Sequence, residues 1–96
     1  MIVVRDVFQA KYGKGDELVQ LLKEGSVLWP SGRNARILTD LSGPFFTVVS
    51  EAEYDSFGAW EATGPAIFGD PRFAGWFERM TTLVESGRRE FYNVAG

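Results

Sequence analysis

The chain has 96 residues, of which 45% are hydrophobic, 15% aromatic and 24% charged, and its net charge is −3. This length accommodates one hydrophobic core, so residues 1–96 are expected to form a single domain. No basic run is long enough to neutralise several phosphates, and nucleic acid is therefore not expected as a partner.

Cysteine and histidine are both absent from the chain. Without cysteine there is no disulfide, thiol nucleophile or thiolate metal site. Without histidine the commonest general base and the usual proximal haem ligand are missing. We therefore expect no metal and no cofactor, and any proton transfer would depend on a carboxylate or on one of Tyr12, Tyr54 and Tyr92.

The sequence also contains no targeting or membrane signal. The first residues lack a basic region and reach charged side chains at Arg5 and Asp6, unlike a signal peptide. No apolar run approaches the roughly 20 residues that a membrane-spanning helix needs. A cytoplasmic protein without membrane contact is expected.

The predicted elements begin with a strand over residues 2–10, which has apolar residues on both faces. A glycine-rich turn then leads into a first helix with Asp16 and Glu17 at its start, where negative charge is favoured. The apolar stripe of this helix ends before Pro30. A second strand is predicted over residues 35–41.

The third predicted strand, residues 45–51, is the most distinctive. Successive side chains in a strand point to opposite sides, so Phe45 and Phe46 would begin two faces that are both largely apolar. The short connection from the second strand favours an antiparallel hairpin. A strand of this kind needs cover on both sides of the sheet.

The second helical region is predicted in two parts. A short helix over residues 53–63 ends before a Gly-Pro pair. Asp70 followed by Pro71 predicts a new helix start, and an apolar stripe with helical spacing continues to Gly87. Residues 89–94 form the fourth predicted strand.

The resulting order, β-α-β-β-α-β with the second helical region split, predicts an α+β ferredoxin-like fold. In this arrangement an antiparallel sheet carries its helices on one face. The helices then leave the other face open, although the first and third strands are apolar on both sides. A second copy, packed sheet to sheet or linked at an edge, would provide the missing cover, so a homodimer is expected.

At this point the chain resembles the dimeric α+β barrel superfamily, which includes antibiotic-biosynthesis-monooxygenase-like, NIPSNAP-like and stress-responsive barrel proteins. The resemblance covers nearly the whole chain and rests on three segments: Phe8 with Tyr12-Gly13-Lys14-Gly15-Asp16-Glu17, residues 36–43, and Asp70-Pro71-Arg72-Phe73 with residues 87–92. It implies a homodimer with packed sheets, and often a pocket between each sheet and its helices. Members include cofactor-independent oxygenases, isomerases and haem-degrading enzymes, and the lack of histidine separates this chain from the last group.

Small-molecule pockets have mostly apolar walls with a few polar groups, which makes the aromatic residues the first candidates. The candidate ligand-binding residues are the walls Trp29, Trp60, Trp76 and Phe77 and the polar residues Arg5, Asp6 and Tyr92. Trp76 and Phe77 also fit a plain core, because both lie in a helical stripe.

The adjacent charges Arg5 and Asp6 lie in a strand, so one must face each side of the sheet. A charge that is partly buried needs a partner, and Asp40 and Arg89 are the expected ones. A structural ion pair is preferred here over a catalytic role.

Two other motifs have a functional and a simpler interpretation. Gly13-Lys14-Gly15 could hold an anion at a helix start but lacks the spacing of a P-loop, so a plain turn is preferred. The acidic residues Glu51, Glu53 and Asp55 could hold a hard cation, but an exposed acidic rim explains them better because they match no calcium loop.

These features predict a small homodimeric protein that binds an apolar or aromatic small molecule in a sheet–helix pocket and is at most monooxygenase-like. The alternative is a non-enzymatic dimeric module, structural or regulatory, whose aromatic residues all lie in the core and the dimer contact. The sequence assigns no catalytic residue and leaves open whether the protein is an enzyme. A closed interior filled by Trp60 and Trp76 would exclude the pocket.

Overall fold

A computed structural model describes all residues, 1–96, and contains four strands and four helices. The strands are β1 (Ile2–Ala10), β2 (Arg33–Thr39), β3 (Thr47–Tyr54) and β4 (Val84–Asn93). The helices are α1 (Gly15–Gly25), α2 (Phe57–Glu61), α3 (Gly64–Phe68) and α4 (Phe73–Thr81), and a 3-10 turn (Ser26–Leu28) extends α1.

The strands form one antiparallel sheet in the order β2-β3-β1-β4. In the centre of the sheet Asp6 of β1 is paired with Ser50 of β3 on one side and with Arg89 of β4 on the other. The buried cluster that joins sheet and helices consists of Ala10, Leu18, Leu21, Val48, Met80 and Leu83. The expected α+β ferredoxin-like fold is confirmed.

Helix α4 is attached to α1 by a tryptophan. The Trp76 indole Nε1 donates a hydrogen bond of 2.8 Å to the carbonyl oxygen of Leu21. Gly25, the last residue of α1, makes room for the ring, since a Cβ at this position would lie 2.3 Å from Nε1. The close approach of the two helices therefore requires glycine at position 25.

The predicted start of the third strand is wrong. β3 begins at Thr47, because Phe46 has a φ of 61° and interrupts the extended conformation. The Phe46 ring packs against Tyr12 with centroids 4.8 Å apart, and Phe45 is 68% exposed. The two phenylalanines therefore do not begin opposite faces of the sheet, and Val48 and Val49 are the apolar pair that does.

The second helical region differs from the prediction at both ends. β3 continues to Tyr54, so the following helix begins only at Phe57, where the Ser56 hydroxyl accepts a 3.0 Å hydrogen bond from the Ala59 amide. The additional helix α3 contains the Gly-Pro pair that was expected to end a helix, because proline fits the first turn.

Helix α4 is shorter than its apolar stripe. It ends at Thr81, and Val84 is already paired with Ala10 of β1. Gly87, predicted to end the helix, lies inside β4 opposite Phe8. Sheet pairing thus overrides the helical spacing of the last apolar residues, because the spacing describes local preference and not the long-range partner.

Asp70 stabilises the turn that precedes α4. Its carboxylate accepts hydrogen bonds from the backbone amide of Arg72 at 2.8 Å and from the guanidinium at 2.7 Å. These hydrogen bonds lower the pKa of Asp70 to about 2. Helix α4 begins two residues after the predicted Pro71, at Phe73.

The face of the sheet that points away from the helices, which we call the open face, carries an ionic network across three strands. Glu51 of β3 is only 7% exposed and accepts hydrogen bonds from Arg36 of β2 and, at 2.8 Å, from Arg5 of β1. Burial alone would raise the pKa of Glu51, but the hydrogen bonds from Arg36 and Arg5 outweigh it and hold the pKa below its ordinary value.

The partner expected for Arg5 is therefore wrong, whereas the partner expected for Asp6 is confirmed. Asp40 accepts from the Thr47 backbone amide at 3.1 Å and does not reach Arg5. Arg89 contacts Asp6 at 2.6 Å, on the helix side of the sheet. The register that puts Glu51 opposite Arg5 could not be determined from the sequence.

Replacing Gly25 by alanine tests the α1–α4 contact. We expect G25A to lower the free energy of unfolding by about 1–3 kcal/mol, because the new methyl group displaces Trp76 and its hydrogen bond. The matched control is G75A in the middle of α4, where a Cβ meets nothing within 4 Å. G75A should stabilise the protein by about 0.5–1 kcal/mol. Equal stabilisation by both variants in urea unfolding would contradict the proposed contact.

Replacing Glu51 by glutamine tests the open-face network. At pH 7 the free energy of unfolding of E51Q should fall by about 1–3 kcal/mol, because a charged acceptor of two arginine hydrogen bonds is lost. A depressed folded-state pKa contributes stability above the unfolded value, and this contribution is lost as the pH falls through the folded value. The deficit of E51Q should therefore shrink below pH 4.5. The control is E85Q, which removes an exposed carboxylate. If the stability deficit of E51Q stayed constant between pH 7 and pH 3, the ionic role of Glu51 would be contradicted.

Candidate functional site

A cavity of about 460 Å³ lies between the helix-side face of the sheet and the end of α1. Its walls include apolar residues of β1, β2 and α1, together with three tryptophans. The lining includes Asp6, Ser50, Tyr54 and Arg89 on the sheet, Trp29, Trp60 and Trp76 around it, and Ala35, Arg36 and Ile37 of β2. Small-molecule sites have volumes in this range and a similar balance of apolar and polar lining.

The tryptophan walls are held in place by ring packing and a hydrogen bond within the protein. Trp29 and Trp76 meet edge to face with centroids 5.2 Å apart, and Trp76 is fixed by its hydrogen bond to Leu21. Trp60 of α2 packs edge to face on Phe91 of β4 at 4.9 Å. The walls are therefore positioned before any ligand binds.

The sheet contributes an ion pair to the cavity. The Arg89 guanidinium donates to both carboxylate oxygens of Asp6, with Nε 2.6 Å from one oxygen and a terminal nitrogen 3.3 Å from the other. The same guanidinium lies over the Trp60 ring, 5.0 Å from its centroid. The ion pair has no net charge. Together with Ser50 and Tyr54 it forms the polar floor of the cavity, and its contact with Trp60 joins this floor to the aromatic wall.

Tyr54 adds a phenol to the cavity. Its side chain is 5% exposed, and its hydroxyl lies beside Gly32, whose ideal Cβ would be 3.0 Å away. No fully buried side-chain polar atom lacks a hydrogen-bond partner, so this hydroxyl, which bonds no other residue, faces the cavity space. Burial and the negative charge of Asp6 raise the pKa of Tyr54, while Arg89 opposes them, and the phenol stays protonated at neutral pH.

Four of the seven residues predicted for a pocket line this cavity, namely Trp29, Trp60, Trp76 and Asp6. Phe77 does not, because it lies on the outer side of α4, 49% exposed and stacked on Phe73 with centroids 5.7 Å apart.

Arg5 and Tyr92 also lie elsewhere. They line a shallower hollow of about 390 Å³ on the open face, where the Arg5 guanidinium lies 5.3 Å from the centroid of the Tyr92 ring. The sheet separates both residues from Asp6. Alternation along β1 already separates Arg5 from Asp6, whereas the face on which Tyr92 lies depends on the β1–β4 register.

Sequence reasoning did not place Ser50, Tyr54 or Arg36 in the site. Ser50 lies opposite Asp6 only because of the β1–β3 register, which one sequence does not determine. Tyr54 reaches the cavity because β3 is longer than predicted and Tyr54 shares its alternation with Ser50. Ser50 and Tyr54 are separated by an even number of positions, so a predicted strand that extended to residue 54 would have placed both on the same face.

The glycine-rich turn before α1 and the acidic residues 51, 53 and 55 form no group of side chains suited to catalysis or metal binding. Gly13 has a φ of 82° in the turn before α1, and the Lys14 ammonium lies 3.3 Å from Glu17. Among the acidic residues 51, 53 and 55, each has its own partner in the chain, and no group of three or more potential metal-ligating side chains comes together. No helix has the length and apolar character needed to cross a membrane.

Comparison with known proteins adds information on the fold. No protein-family model matches the chain. A search of curated proteins finds no match either.

Solved structures do match. An uncharacterised NIPSNAP domain protein from Burkholderia xenovorans superposes with a TM-score of 0.88 at 21% identity, over 100% of this chain and 96% of that one. A putative antibiotic biosynthesis monooxygenase from Deinococcus radiodurans gives 0.73 at 17% identity, over 100% and 94% of the two chains. A variant of SnoaB, a cofactor-independent oxygenase from Streptomyces nogalater, gives 0.73 at 11% identity, over 99% and 93%.

Identities this low establish the fold and leave the chemistry to the site itself. The α+β fold expected from the resemblance is confirmed. The chain therefore has the ferredoxin-like α+β fold that NIPSNAP domain proteins share with antibiotic-biosynthesis-monooxygenase-like proteins.

Proposed function

We propose that the protein is a homodimer in which each subunit binds a flat apolar or aromatic small molecule in the cavity between sheet and helices. The observation that supports binding is the cavity itself, which remains open beside Trp60 and Trp76 instead of being filled by them. Three tryptophans offer flat apolar contact, and Asp6, Ser50, Tyr54 and Arg89 place polar groups on the sheet side of the cavity.

The polar floor favours a ligand with a hydrogen-bonding group at one end. Tyr54 can donate from its protonated hydroxyl, and the carboxylate of Asp6 can accept. Asp6 and Arg89 neutralise each other, so a ligand buried against them need not carry a compensating charge.

Two of the structural neighbours are named as oxygenases, one of them cofactor-independent. If the protein is an enzyme, we propose a monooxygenase-like activity. In that reaction O₂ converts a ligand CH₂ group to a carbonyl, and the second oxygen atom leaves as water with the two hydrogens. All electrons come from the ligand, which must therefore be electron-rich. The cavity would contribute by orienting the ligand and excluding water.

The homodimer is supported by the open face of the sheet. Its charged side chains are Arg5, Arg33, Arg36 and Arg88 with Glu51, Glu53 and Glu90 along the strands, and Arg33 pairs with Asp55 just beyond β3. Val7, Val49 and Leu38 lie between them on the same face, and Leu38 is 38% exposed. A face that carries both signs of charge with interspersed apolar residues can be complementary to itself about a two-fold axis, so we propose a second copy as its occupant.

Filling the cavity tests ligand binding. Freshly purified protein is analysed by native mass spectrometry for a retained molecule, and 1-naphthol binding is followed by tryptophan fluorescence. We expect S50F to lose at least about 10-fold in 1-naphthol affinity, the equivalent of ~1.4 kcal/mol, because the phenyl ring occupies the floor opposite Asp6. S31F, in an exposed loop outside the cavity, is the control and should bind as the wild type does. Absence of both a retained molecule and 1-naphthol binding would favour the non-enzymatic module.

Two neighbouring valines test the dimer. Val49 lies on the open face, so V49D should dissociate the dimer and leave a folded monomer, as measured by sedimentation and circular dichroism. Val48 is 1% exposed in the core under α1, so V48D should unfold the chain instead. A wild-type monomer at micromolar concentration, or a dimer that V49D leaves intact, would contradict sheet-to-sheet association.

A further inference from the structure

β2 is the least covered element of the sheet. It lies at one edge and pairs only with β3. Of its seven residues only Ile37 is partly buried, and the other six are exposed. The helices cover the neighbouring strands, and the cavity lies where cover for β2 would be, lined by Ala35, Arg36 and Ile37. One wall of the candidate site is therefore a largely exposed edge strand that is held only by its contacts with β3 and the residues just after it.

The pairing of β2 with β3 is interrupted at the same place. Arg33 is opposite Glu53 and Arg36 is opposite Glu51, so the register shifts between them, and Asn34 has a φ of 51°. At this interruption the cavity on the helix side and the hollow on the open face come together. Three residues, Arg36, Glu51 and Ala52, line both.

We propose that ligand binding and dimerisation are positively coupled through β2, so that each subunit completes the ligand site of the other by fixing residues 33–37. This inference rests on the proposed function. The ligand covers this segment from the helix side, and the partner sheet covers it from the open face. Two binding events that order the same segment share the entropic cost of ordering it, and each therefore strengthens the other.

The Arg36–Glu51 ion pair is the physical link between the two sides. Glu51 is held by Arg5 at the centre of the sheet, and Arg36 ties β2 to this fixed carboxylate. Arg36 is 65% exposed in the single subunit, so solvent weakens the pair. A partner sheet on the open face would exclude that solvent, strengthen the pair and fix the cavity wall.

The test compares the dimer dissociation constant with and without saturating 1-naphthol, by sedimentation equilibrium. We expect saturation to lower the dissociation constant of the wild-type dimer about 5- to 100-fold. In R36A, saturation with 1-naphthol should change the dimer dissociation constant by less than about twofold, because the link to Glu51 is removed. R33A is the matched control: Arg33 lies on the same strand and pairs with exposed Asp55, but it lines neither cavity, so the wild-type factor should persist.

Amide hydrogen exchange of β2 gives a second readout that needs neither variant nor dissociation. In the wild-type dimer, 1-naphthol should slow exchange at Ile37 and Leu38 about fivefold or more. If 1-naphthol binds, but the dimer dissociation constant and the β2 exchange rates do not change, the coupling is overturned and the proposed function stands. If 1-naphthol does not bind or no dimer forms, both fail together.

Discussion

The positions of the charged side chains on the sheet depend on one constraint, the alternation of side chains along β1. This strand lies in the middle of the sheet and pairs with β3 and β4. Arg5 and Asp6 are consecutive, so they must point to opposite faces. Each finds its counter-charge on an adjacent strand, Arg5 on Glu51 and Asp6 on Arg89. A slip of one residue in the register would place both charges among the wrong neighbours. The two polar networks therefore fix the register and also divide the sheet into a charged open face and a helix-side face with a polar floor.

The hydrophobic core is small in proportion to this sheet. Only 14 of the 96 residues are buried, and the main cluster lies beneath α1 and α4, with a second cluster of Ile2, Val4 and Tyr54 further along β1 and β3. The aromatic residues extend the packing outward through ring contacts such as those of Trp60 and Phe91. A single subunit consequently keeps apolar surface on both sides of its sheet. A ligand and a partner would each bury part of that surface.

Much of the fold could be predicted from the sequence, because hydrophobic spacing and turn residues report local structure well. The first strand is confirmed at residues 2–10, and the first helix and the β-α-β-β-α-β order are confirmed as well. The errors occur where long-range pairing decides. Phe46 adopts a left-handed conformation against Tyr12, and Val84 pairs with Ala10 although it continues a helical stripe. Local pattern contains no information on such partners.

The site was less accessible to sequence reasoning for the same reason. The tryptophans could be named because flat apolar walls are a matter of residue type. Which polar residues accompany them depends on the face of each strand and on register. Tyr54 and Ser50 were therefore missed, and the pocket candidates Arg5 and Tyr92 lie at the hollow on the open face. The Asp6–Arg89 pair was an exception, since a charge in a predicted strand requires a partner and few candidates exist.

The composition of the two edge strands has a consequence for assembly. β2 carries Arg33 and Arg36, and β4 carries Arg88 and Arg89, so both free edges of the sheet present guanidinium groups beside their unpaired backbone. Charged side chains on an edge oppose the addition of another strand, because a strand added there would remove them from water. Association through the faces closes after two subunits, whereas association through the edges would continue without limit. The charged edge strands therefore disfavour open-ended β-pairing of this sheet.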